Sequence, residues 1–179
     1  MSTTASHERG DDSAPENPSV TVTFRRDVRG AAFLELLEVM VGKATTVGLV
    51  APPYELTDGH SEATRSLLAT LDGALVRRAE TRAWPGSLVP DWAPASVLLT
   101  FRYDAEVART LHDHCPELLG WQKHALPCDL HLTDADGHTI MGSITSEDDA
   151  WVAMSKAEWR DMVRGTRRLR WIRVREDRS

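Results

Sequence analysis

The chain has 179 residues, a net charge of −6, 41% hydrophobic residues and two cysteines. Those values fit one medium domain or two small, tightly packed ones, and they exclude global disorder and a disulfide framework. No apolar run approaches the ~18 residues of a membrane span, and residues 1–18 lack the basic and apolar regions of a secretory leader. The expected location is therefore the cytoplasm.

Residues 1–18, rich in Ser, Thr, Asp, Glu and Pro, read as a disordered tail carrying −3. The next stretch, Ser19-Val20-Thr21-Val22-Thr23-Phe24-Arg25-Arg26-Asp27, returns 77 residues later as Ser96-Val97-Leu98-Leu99-Thr100-Phe101-Arg102-Tyr103-Asp104, with six of nine positions identical. Both copies are rich in β-branched and aromatic residues and end in Asp, a good N-cap for a following helix. Phe33, Leu36, Leu37, Met40 and Val41 then recur at helical spacing, as do Val107, Ala108, Leu111 and Cys115 after the second copy.

Each half continues with strand-like sequence, Thr45 to Ala51 in the first and Asp129 to Met154 in the second. A Ser-started helix follows, near Ser61 with Thr64, Leu67, Leu68 and Leu71 on one face, and at Ser155, where Glu158 completes a capping box ahead of Trp159, Met162 and Val163. Gly73 and Gly165 are the expected stops. Final strands are predicted over Ala74 to Glu80 and Arg168 to Val174.

The order predicts an α+β fold made of two pseudo-repeats of a β-α-β(β)-α-β unit, ferredoxin-like or helix-grip-like, with antiparallel-rich sheets and helices on one face. The first repeat covers 19–82, a Pro/Trp linker 83–95, the second repeat with an extra hairpin 96–175, and a tail 176–179. The pattern leaves open whether the two sheets meet edge to edge or face to face.

Chemistry-bearing residues concentrate in the second half. His112, His124, Cys128 and His131 have the side chains zinc prefers, and His124-x3-Cys128 has the spacing of half a zinc-finger site, but the other half-site is missing. Asp134-Ala135-Asp136-Gly137 fails as a calcium loop, because position 12 falls on Thr145, and reads as a hairpin turn instead. Asp58-Gly59-His60-Ser61 reads as a turn into a helix cap, since the members of a catalytic triad converge in space and are rarely neighbours in sequence. Glu147, Asp148 and Asp149 precede Trp151, and with Trp92 they are the candidate partner-binding residues: acids steer a basic partner and an aromatic anchors it.

Eight of the eighteen arginines lie in 160–179, giving that end +5 against −8 for residues 19–159. The run Arg164 to Arg178 with Trp171 inside it is the single hint of nucleic-acid contact, and the acidic body argues against that contact. Signatures of nucleophilic, phosphate-loop or metalloprotease chemistry are missing, and no cofactor is implied. The expected function is a non-catalytic binding or regulatory protein, immunity-protein-like, with a protein partner. The alternative is a small-molecule sensor or enzyme using the cleft between the two halves.

Overall fold

The computed structural model describes residues 20–51 and 61–178. In chain order these form β1 (Val20–Phe24), α1 (Ala31–Met40), β2 (Thr46–Ala51), α2 (Glu62–Leu71), β3 (Leu75–Thr81), β4 (Ala83–Trp84), β5 (Ser87–Leu88), β6 (Ser96–Arg102), α3 (Ala105–His114), β7 (Cys128–Thr133), β8 (Thr139–Ile144), β9 (Asp149–Val152), α4 (Lys156–Val163) and β10 (Val174–Arg178). The protein is α+β. Eight strands make one antiparallel sheet in the order β10-β1-β9-β8-β7-β2-β6-β3, while β4 and β5 pair as a separate hairpin.

The helices start and face inward much as their sequences dictate. Phe33, Leu36, Leu37 and Met40 of α1, Leu67 and Leu71 of α2, Val107, Ala108 and Leu111 of α3, and Trp159 and Val163 of α4 are all buried. They share one apolar core with Val22, Val47, Leu49, Leu99, Leu130, Leu132, Met141 and Val152 from the sheet. Ser61 accepts from the Thr64 amide, and Ser155 and Glu158 form the predicted capping box. Asp104 caps α3 by accepting from the amides of Glu106 and Val107.

The equivalent residue Asp27 does not cap α1, whose N-cap is Gly30. Its carboxylate instead accepts from the Leu119 amide at 2.9 Å and the Arg29 guanidinium at 2.8 Å, tying the β1–α1 turn to the loop after α3. Gly73 and Gly165 follow the C-caps of α2 and α4, but neither takes the positive φ of a glycine stop. The predicted strand Arg168 to Val174 is also displaced. Leu169–Trp171 is a turn of 3₁₀ helix, and β10 begins at Val174 and runs through residues assigned by sequence to the tail. A long-range contact overrides local β-propensity there: the Glu35 carboxylate accepts from the amides of Arg167, Arg168 and Leu169 at 2.7, 2.8 and 3.0 Å.

The two stretches that are alike in sequence occupy corresponding places. β1 lies between β10 and β9, and β6 lies between β3 and β2. The first strand of each sequence half is therefore flanked by strands of the other half, β1 by β9 and β10 and β6 by β2 and β3, within a single continuous sheet. Strands alternate their side chains between faces, so the partners Trp151, Gly142, His131, Gly48 and Thr100 line up across the face opposite the core. Large and absent side chains alternate along this row. A Cβ at Gly48 would stand 2.1 Å from the His131 ring, and one at Gly142 2.4 Å from the Trp151 ring.

The predicted linker closes over that face. Gly86, with φ +80°, turns the β4–β5 hairpin directly against Trp151 and Ile144. Trp84 donates its indole N–H to the buried Asp129 carboxylate at 2.8 Å, and the other Asp129 oxygen accepts from the Thr145 amide. Arg82 holds the far end of the segment through the carbonyls of Pro90 and Ala93.

Candidate functional site

Three of the four sequence-predicted metal ligands have described side chains. His112 lies on α3, where its ring packs near Phe33 and its Nε2 is buried without a polar partner. Cys128 donates to the Val50 carbonyl at 3.4 Å, and His131 is buried over Gly48 with Nδ1 near the Asp129 carbonyl. Burial pulls the His131 pKa down, which keeps the ring neutral. The side chain of His124 lies outside the described residues, as do Asp58, Gly59 and His60.

Among the described residues the metal-type ligands that converge are Asp134, Asp136 and His138, none of them in the predicted set. Their contacts are those of the β7–β8 turn. The Asp134 carboxylate accepts from the amides of Asp136 and His138 at 3.0 and 2.9 Å, which makes the Asp-Gly hairpin the sequence announces.

The predicted partner-binding residues separate into two kinds. Glu147 and Asp148 are exposed on the turn before β9, and Asp149 is half-buried. Trp92 is 87% exposed. Trp151, however, is buried against Gly142 beneath the β4–β5 hairpin, so its ring belongs to the packing of the sheet and does not present an anchor.

The feature with the shape of a binding site lies elsewhere, between the end of α1 and α4. This open groove of about 860 Å³ has a floor of Val39, Met40, Val41, Ile140, Ala153, Met154 and Met162. Met40 is fully buried, while Met154 and Met162 are half-buried with one side free. The rim carries Glu38, Asp134, Glu158 and Asp161 against the single cation Lys43.

Two of the rim acids are held in the charged form. Hydrogen bonding to Ser155 lowers the Glu158 pKa. At Asp134 desolvation acts to raise the pKa, but the donated backbone amides and His138 outweigh it and the net shift is downward. The groove therefore offers an apolar bed under a field of one sign. The sequence hides it because its methionines, from α1, the end of β9 and α4, each look like ordinary core residues in their own segments.

Among the described residues no helix is long and apolar enough to cross a membrane. No family model, curated protein or solved structure matches the chain.

Proposed function

We propose that the protein is a non-catalytic binding or regulatory module of the cytoplasm, immunity-like in role, which receives a basic amphipathic segment of a protein partner in the α1–α4 groove. The carrying observation is the pairing of an apolar methionine floor with four rim acids against one cation. An amphipathic helix docks by laying its apolar face into such a groove. Methionines repack around different apolar side chains at small cost. The acids speed encounter with a cationic segment and disfavour an acidic one. Residues 1–18 carry −3, so charge argues against the protein's own N-terminal stretch as the occupant.

The same reading takes the sheet as two related halves, 19–82 and 96–175, joined across the 83–95 segment, with their first strands exchanged so that each ferredoxin-like unit borrows β1 or β6 from the other half. The sequence identity of β1 and β6, and the order β10-β1-β9 mirrored by β3-β6-β2, support it. Exposed Trp92, Glu147 and Asp148 supply a second surface for the same kind of partner.

The test is fluorescence anisotropy with a labelled amphipathic Leu/Lys helix of about 18 residues, and a Leu/Glu helix as control. The expected result is salt-sensitive binding of the basic helix alone. Charge reversal at the exposed rim, Glu38→Lys with Asp161→Lys, should weaken it by about tenfold or more while circular dichroism stays unchanged. Equal binding of both helices, or indifference to the double reversal, would remove the groove as the site.

A further inference from the structure

The other side of α4 carries charge of the opposite sign. A second concavity of about 280 Å³ is lined by Arg25, Lys156, Arg160, Arg170 and Arg173, over Trp159, Val163, Ile172 and Val174, with no carboxylate in its lining. Four parts of the chain contribute these cations: the end of β1, α4, the 3₁₀ turn at Leu169–Trp171 and the lead into β10. Lys156 and Arg160 stand four apart and so share one face of α4. The Arg25 amide donates to the Arg173 carbonyl at 3.1 Å, which fixes those two backbones side by side.

Arg–carboxylate pairs lie elsewhere, among them Arg29 with Asp27 and Glu117, Arg102 with Asp104, and Arg164 with Asp161. Five cations thus line one concavity with no carboxylate in its lining, in a chain whose net charge is negative. Their mutual repulsion is a cost that a bound anion would relieve. Four are arginines, whose planar donors match phosphate oxygens.

An exposed aromatic beside one of the pocket's arginines, outside its lining, narrows the ligand. The Arg170 guanidinium lies 5.0 Å from the centre of the Trp171 ring, while 74% of Trp171 remains exposed. One side of the ring is braced by the pocket's own arginine, and a large area is left open for a flat group to stack. The pocket has room for a phosphate group or two, and the −8 carried by residues 19–159 opposes the approach of a long polyanion.

We infer that this pocket binds a free nucleoside phosphate, its phosphates on Arg25, Arg160, Arg170 and Arg173 and its base stacked on Trp171. Lys156 adds charge at the helix side. The site is independent of the methionine groove, since its cations and the groove's acids lie on opposite sides of α4.

The test is calorimetric titration of the full chain with inorganic phosphate, pyrophosphate, ADP and a single-stranded 10-mer RNA. Affinity should rise from phosphate to pyrophosphate to ADP. Arg160→Ser with Arg173→Ser, both exposed, should weaken pyrophosphate and ADP alike by about tenfold or more. Trp171→Ala should weaken ADP by about tenfold and leave pyrophosphate unchanged. Absence of binding by all four anions, or binding that survives the double arginine change in a folded variant, overturns the site. Equal loss of ADP and pyrophosphate in Trp171→Ala overturns the stacking role. RNA binding tighter than ADP overturns the free nucleotide as ligand in favour of a strand. The Leu/Lys helix assay reads the other groove, so either site can fail alone.

Discussion

Replacing Glu35 by alanine removes the carboxylate that holds three consecutive amides of the turn before β10, those of Arg167, Arg168 and Leu169. A hydrogen bond to a charged group contributes about 1.5–3 kcal/mol net when well sheltered. Glu35 and two of its three partners are partly open to solvent, so screening and competition from water reduce that sum substantially. A loss of about 2 kcal/mol for Glu35→Ala is the expected outcome, measured by urea unfolding followed by tryptophan fluorescence. In a domain of this size it corresponds to roughly 4–8 °C in Tm.

The dependence on pH has a definite sign. Desolvation acts to raise the Glu35 pKa, but the three amides and Arg168 outweigh it, so the folded value lies below the ordinary one. Wild type therefore binds fewer protons than its unfolded chain in that range. Its advantage over the variant should be full above the ordinary carboxylate pKa of about 4.3 and should fade as pH falls through the lowered folded value. A cost below about 0.5 kcal/mol at pH 7, or a cost that grows on acidification, would refute this account. Because the turn carries Arg170 and Trp171, the variant should also lose ADP affinity while leaving helix binding in the methionine groove intact.

Three further outcomes follow from buried contacts. Gly48→Ala places a methyl group inside the His131 ring, so it should cost about 2–3 kcal/mol in denaturant titration, and much less in a His131→Ala background; a cost that persists there would refute the steric cause. Trp84→Phe keeps an aromatic side chain, though a smaller one, but strips one donor from the buried Asp129 carboxylate, and should cost about 1.5–3 kcal/mol with little change in far-ultraviolet circular dichroism; a neutral change would show that oxygen to be otherwise satisfied. The Cys115 thiol is pushed up to about 11 by burial, so native protein should resist iodoacetamide at that position near pH 7.5 and react once unfolded in urea, as peptide mass mapping would show; rapid labelling of native Cys115 would contradict its placement.

Local signals in the chain carried the helices well. Their apolar stripes, Ser61, Asp104 and the Ser155–Glu158 box all act within a few residues, and each was readable from spacing alone. What escaped reading depends on contacts distant in sequence. Nothing near Leu169 announces that Glu35, more than a hundred residues earlier, will seize its amide and bend the chain away from strand. Trp151 looked like a surface anchor because acids precede it, whereas Gly142 on the neighbouring strand and Gly86 in the hairpin make room for it inside. The two grooves flanking α4 were illegible for a similar reason. Met40 and Met162, or Arg25 and Arg160, meet through the pairing of strands and the seating of α4, which no window of sequence contains.

The placement of β1 bears on how the chain is made. Synthesis delivers β1 first, yet both of its sheet neighbours, β9 and β10, belong to the last 31 residues of the chain. Meanwhile β2, β3, β6 and β7 can pair among themselves as they emerge from the ribosome. The nascent chain therefore trails a Val/Thr/Phe-rich strand with no partner through most of translation, the kind of segment that invites pairing with a neighbouring chain. Chaperones, more than local helix stability, would then govern the yield of native protein, and truncation anywhere before β9 should leave products prone to aggregate.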